Sequence, residues 1–243
     1  KNYLDRGDMI MLNIIASNNW KRPIYFTSPI GELGFSGYLR KDGMSYRLVP
    51  IMNKYPQQNW VTDQTLRQVR MGGTQIRDNN TDFMLNNLLT KFEFGGADKK
   101  GLYFVETNMQ QILNLRSLYA EAAGNLADLG RKEDAQKLLD KVDKGILAEN
   151  LPYGLVSRYN GHNQASMIYL EACYKAGKKE LAEKVRLAIR KDLEQQSRYY
   201  NYVKDKRPDL FGHFENSEAP INEAMLMVLS AVENKYAPQA QLK

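Results

Sequence analysis

Apolar residues recur at helical spacing over about 8–18 (Met9, Ile10, Met11, Ile14, Ile15), and then the period breaks. Pro23 cannot continue a helix interior, and it pushes Arg22 toward extended geometry. Ile24, Tyr25 and Phe26 favour a strand over about 23–27, with Ile24 and Phe26 turned to a core. Gly31, Gly34 and Gly37 mark a looped stretch with one helical turn around Phe35–Leu39. Lys41-Asp42-Gly43 is a turn signal, because Asp-Gly readily supplies positive φ. A strand follows at about 45–50 and stops at Pro50, and it should share one small sheet with the first. Residues 53–80 are polar and weakly periodic, which predicts a long loop with a short helix at 62–70. Thr81 and Asp82 can cap a helix running to about Phe92, ended by Gly95-Gly96.

From residue 106 the pattern becomes helical. Thr107 or Asn108 can cap a long helix ending at Gly130. Further helices span about 132–145, 161–176 and 178–200. Pro208 and Gly212 break the chain, and Pro220 opens a last helix through Ala224, Leu226, Val228, Leu229 and Val232. The expected fold class is therefore mainly α with a small α/β part: an α/β subdomain at 1–105 and a helical array at 106–243.

The array contains an internal repeat. Leu129-Gly130-Arg131-Lys132-Glu133-Asp134-Ala135 matches Ala176-Gly177-Lys178-Lys179-Glu180-Leu181-Ala182, with an offset of 47 residues. Each Gly ends a helix where left-handed geometry is needed, and each Ala is expected at a close helix crossing. The small-residue spacing resembles the tetratricopeptide pattern. It departs from that pattern in its longer offset and in Arg186, which stands where a large apolar residue is expected. Two units are fewer than a free-standing solenoid needs, so the α/β part and the last helix are expected to cap the stack as one cooperative body.

The helix followed by Asn18-Asn19-Trp20-Lys21-Arg22-Pro23-Ile24-Tyr25-Phe26, and the run Tyr46-Arg47-Leu48-Val49-Pro50-Ile51, carry a wider likeness, together with Thr81–Phe94 and Glu106–Arg116. Through them nearly the whole chain resembles the C-terminal soluble region of a Bacteroidetes membrane-protein family described as protein O-mannosyltransferase-like, with a GT-C type multi-spanning N-terminal part. The resemblance implies an upstream membrane domain in the same polypeptide and a place on the periplasmic side of the bacterial inner membrane. It also implies a catalytic acid and lipid-linked donor site in the membrane part, not here.

Composition agrees with a packed domain: 43% of the 243 residues are hydrophobic and 26% charged. No window approaches the ~18–20 apolar residues of a membrane helix. No signal-peptide pattern opens the chain, and Lys1-Asn2-Tyr3 reads as a start inside a longer protein. The net charge of +6 comes from scattered basic residues with no nucleic-acid motif, so a solvated surface is expected and no nucleic-acid partner. Cys173, alone in an apolar helical run, reads as a small buried residue.

Candidate chemistry is sparse. His162 and His213 lie 51 residues apart with no zinc-ligand spacing, and both read as packing or capping residues. No dinucleotide fingerprint, P-loop or Gly-x-Ser-x-Gly is present. Asp5 and Asp8, flanking Arg6-Gly7, sit where acids cap a helix. No catalytic residue, metal or cofactor is expected.

Two binding candidates remain. Gln164, Met167, Glu171 and Tyr174 would line the concave side of a tetratricopeptide-like pair, a groove for a peptide or glycan. Asn19, Trp20 and Arg22 could contact a sugar, with the indole as a stacking surface. The competing expectation, which we favour, is that Trp20 is buried under the helix and that Asn18 or Asn19 ends it. The resulting functional reading is a non-catalytic accessory domain that positions a protein or glycan acceptor. Its rivals are a free tetratricopeptide-like adaptor and a carboxylate-dependent glycan-active enzyme.

Overall fold

The computed structural model describes residues 3–28, 33–52, 80–215 and 217–237; the expected helix at 62–70 and Gly72-Gly73-Thr74 lie outside them. The described residues are mainly α-helical with one small sheet. They fall into two compact units, one holding residues 3–28, 33–52 and 80–87 and the other 88–215 and 217–237.

In the first unit, α1 (Arg6–Asn18) opens on a capping box. The Asp8 N–H donates to Asp5 Oδ1 and the Asp5 N–H to Asp8 Oδ2, both at 2.9 Å. Arg6-Gly7-Asp8 is thus the first turn of a helix. Strands β1 (Tyr25–Phe26), β2 (Leu39–Asp42) and β3 (Ser45–Leu48) form an antiparallel sheet in the order β1-β3-β2. Tyr25 pairs with Arg47, and Leu39 with Leu48. Gly43, at φ 76°, makes the β2–β3 turn. Leu39 and Leu48 are buried, with Ile15, Ile24, Phe26 and Phe35 packed around them. Nothing in the hydrophobic pattern signals β2, because Leu39-Arg40-Lys41-Asp42 has too little apolar alternation; backbone pairing to β3 makes it a strand.

The second unit is the helical array. The α2 helix (Thr81–Thr90) enters it at Leu88. Lys141 Nζ donates to the carbonyls of Leu88 (2.7 Å), Leu89 (2.9 Å) and Phe92 (2.7 Å), satisfying acceptors that a helix end leaves open. Next come α3 (Glu106–Asp128), α4 (Lys132–Gly145), α5 (Gly161–Lys175) and α6 (Lys179–Lys206). α3 packs on α4 and α5, and α5 on α6. Gly130 (φ 80°) and Gly177 (φ 78°) end α3 and α5 in left-handed geometry, and Ala135 and Ala182 are fully buried. Cys173 is buried too, and burial pushes its thiol pKa well up.

Several boundaries differ from the pattern: β1, β3 and α2 are shorter than expected, and the last helix begins at Glu218, two residues before Pro220. The N-cap of α3 is Val105, with no side-chain cap, so neither Thr107 nor Asn108 performs that role. α6 runs on to Lys206. Pro208 then opens α7 (Pro208–Glu215), since the first helical position needs no N–H, and Gly212 lies inside that helix. The last helix, α8 (Glu218–Tyr236), packs on α6, α5 and α7. Arg186, the exception in the repeat, pairs with Glu183 and with Glu233 of α8, which also takes Arg190. A charged seam replaces the apolar contact there.

Candidate functional site

In the segment between α4 and α5, Gly154 is pressed onto α6. A Cβ at Gly154 would lie 2.2 Å from the Ala188 carbonyl oxygen, so only glycine allows this approach. Beyond it, Tyr159 and Asn160 are both left-handed, at φ 53°. Such geometry costs a non-glycine residue about 1–3 kcal/mol and persists only where the surroundings enforce it.

The enforcement is visible. The Tyr159 N–H donates to both oxygens of Glu218, each at 3.1 Å, and Gln164 Nε2 donates to the Tyr159 carbonyl at 2.5 Å. Asn160, fully buried, exchanges hydrogen bonds with Gln196 at 3.2 and 3.0 Å. Asn163 Nδ2 donates to Asn160 Oδ1 at 2.9 Å and to Asp192 Oδ2 at 2.7 Å. Gln196 Nε2 donates to the same Asp192 oxygen at 2.7 Å. Asn222, on α8, ties the network to the Leu193 carbonyl (3.1 Å) and Ser197 Oγ (2.8 Å). Buried amides satisfied in this way rigidify what they touch.

Above the network opens a cavity of about 500 Å³. Asp192, Gln195, Gln196, Tyr199, Tyr200, Phe214, Glu218 and the segment Val156–Arg158 line it. The rings of Tyr199, Tyr200 and Phe214 converge, with centroids 5.7 Å (Tyr199–Tyr200), 6.0 Å (Tyr199–Phe214) and 5.6 Å (Tyr200–Phe214) apart. Tyr199 is half exposed and Tyr200 nearly buried. Burial raises the Tyr200 phenol pKa, and the negative charges of Glu218 and Asp192 push it in the same direction. The cleft therefore joins an aromatic wall, two carboxylates and a rigid amide floor.

Sequence reasoning missed this cleft. The signal was present in Tyr199-Tyr200, but Phe214 and Glu218 lie across the Pro208 break, and only the return of α7 and α8 onto α6 brings them together.

The expected groove is not open. Met167 and Glu171 are fully buried and Gln164 nearly so. Tyr236 on α8 donates to Glu171 Oε1 at 2.9 Å, and its ring stacks on Tyr174. α8 covers the Glu171–Tyr174 end of that surface. Gln164 is engaged instead in holding Tyr159.

At the other candidate, burial of Trp20 is overturned: the residue is 54% exposed. Asn19, at φ 47°, does end α1, but Trp20 is left-handed as well, at φ 57°. The turn is closed without the indole, by Lys21 N–H to Asn18 O (3.0 Å) and Asn18 Nδ2 to Arg22 O (2.7 Å). Ile15, Ile24, Phe26 and Phe35 already fill the core around Leu39 and Leu48. Asn19, Trp20 and Arg22 are left together at the surface.

That junction lies in the segment with a recognisable relative. Residues 1–66 match the family model TMEM260-associated domain 2. The match takes in α1 and all three strands of the first unit. No curated protein and no solved structure matches the chain.

His162, expected to pack or cap, is buried with Nε2 2.6 Å from the Pro152 carbonyl oxygen. His213 is exposed on α7. Among the described residues no group of three or more His, Cys, Asp or Glu is arranged to hold a metal ion, and no helix is long and apolar enough to cross a membrane.

Proposed function

We propose that this chain is a non-catalytic accessory domain of a glycosyltransferase-like membrane protein, facing the periplasm, and that it holds a polypeptide acceptor. The cleft above the buried amide network carries the reading. It has a rigid floor, an aromatic wall and polar rims, the mixed lining a binding site needs. The match of residues 1–66 to a TMEM260-associated domain supports the membrane-protein context. The stacked helix pairs, with Gly130 and Gly177 ending the first helices and Ala135 and Ala182 buried in the second, support a tetratricopeptide-like array, a scaffold suited to extended ligands.

Both acids of the cleft have structural duties. Asp192 anchors two amides, and Glu218 holds the strained Tyr159 peptide. This favours binding over catalysis. The test is peptide-array binding by the wild-type chain and by Tyr199→Ala, alongside incubation with activated sugar donors. Peptides that bind the wild type and are lost in the variant are expected. Binding indifferent to Tyr199, or turnover abolished by Asp192→Asn, would overturn the proposal.

A second contact, a glycan against Asn19, Trp20 and Arg22, is favoured by the exposure of Trp20. Trp20→Ala should then reduce glycan-array binding while leaving peptide binding intact.

A further inference from the structure

The reading of the cleft as a polypeptide site can be narrowed, and the narrower claim rests on that reading. Tyr199 and Phe214 meet at 79°, Tyr199 and Tyr200 at 64°, and Tyr200 and Phe214 at 45°. Rings so inclined do not form the single flat platform on which a sugar face stacks. They form an angular recess, which fits an alkyl stem or a compact cation touching more than one ring.

Charge points the same way. The chain as a whole carries +6, yet the cleft sets two carboxylates, Asp192 and Glu218, against one guanidinium, Arg158. Arg158 is also turned aside: it lies over the Tyr159 ring, 4.9 Å from the centroid, and donates to Tyr159 Oη at 3.2 Å. Asp192 receives both amide donors on Oδ2, so Oδ1 retains its capacity to accept. Arginine in a ligand would want a planar bidentate partner, whereas a lysine ammonium is a point charge on a flexible four-carbon stem.

We infer that the cleft captures a lysine side chain of an extended polypeptide segment, its stem against Tyr199 and Phe214 and its ammonium toward Asp192 and Glu218. The cavity of about 500 Å³ exceeds one side chain, so the flanking backbone shares it, within reach of the Gln195 amide.

The experiment uses the full chain and a fluorescent nonapeptide with one central lysine, read by anisotropy. Its companions carry ε-acetyl-lysine or norleucine at that position, and a glucosamine hexamer serves as an amine-bearing glycan. The lysine peptide should bind, and acetylation or norleucine should weaken it about ten-fold or more, as loss of a desolvated cation–π and charge contact implies. Asp192→Asn should weaken the lysine peptide more than the norleucine peptide, because only the lysine carries the ammonium, whereas Tyr199→Ala, which removes the ring both stems pack on, should weaken both. Equal binding of all three peptides, lost together in Tyr199→Ala, overturns the lysine inference and leaves the peptide cleft standing. Binding of the glucosamine hexamer but of no peptide overturns the polypeptide assignment. Absence of all binding overturns both.

Discussion

Tyr236 stacks on Tyr174 with ring centroids 5.7 Å apart and planes within 6° of parallel, while its hydroxyl donates to buried Glu171. The pair joins the end of the last helix to the middle of the array. Tyr236→Ala should remove the ring and leave Glu171 short of a donor, destabilising by about 2–4 kcal/mol. Tyr236→Phe keeps the stacking and should cost about 1–2 kcal/mol. Urea unfolding of both variants measures the difference; equal midpoints for the two would remove the hydroxyl from the account.

Ala135 and Ala182 are fully buried. Ala135→Leu and Ala182→Leu should each destabilise by about 1–3 kcal/mol through overpacking. Thermal melts check this, and an unchanged midpoint for either would show that the helices tolerate the extra volume.

Glycines separate two causes. A Cβ at Gly130 would meet only open space, but the residue sits at φ +80°, so Gly130→Ala should cost about 1 kcal/mol of backbone strain alone. A Cβ at Gly154 would meet the Ala188 carbonyl oxygen at 2.2 Å, so Gly154→Ala must displace backbone and should cost more than about 2 kcal/mol. Amide hydrogen exchange should show the second change opening residues 150–160 and the first leaving them protected.

His162 sets a pH dependence. Burial, together with the nearby Arg116 charge, depresses its pKa from 6.5 to about 4, against the hydrogen bond to Pro152 that raises it. The unfolded chain then binds more protons than the folded one between these values. Its contribution is full above about pH 6.5 and is lost as pH falls toward 4, up to about 3 kcal/mol in all. His162→Gln should flatten this part of the pH–stability curve, measured as urea midpoints from pH 4 to 7.

The helices were legible because their signals are local. The 47-residue offset of Gly130 with Gly177 and of Ala135 with Ala182 located both hairpins, and Asp5 with Asp8 marked the start of α1. What was not legible depends on distant partners. Periodicity shows that Glu171 and Tyr174 lie on a helix, but only the return of α8 decides that this face is covered. Trp20 reads as a core residue until Ile15, Ile24, Phe26, Phe35, Tyr38 and Tyr46 are seen packed against Leu39 and Leu48 in its place. The cleft required Tyr199 and Phe214 to meet across a helix break, which spacing along the chain does not encode.

The lateness of α8 in the chain has a consequence for synthesis. The ribosome releases Glu171 long before Tyr236, 65 residues later, so the nascent array stands with that carboxylate and the Tyr174 ring uncovered. Glu218, which secures the left-handed Tyr159, also arrives 59 residues after it. The hairpins can assemble as they emerge, but neither the cleft nor the covered face exists until the final helix docks. A chain arrested before that helix would offer chaperones and proteases an incomplete array.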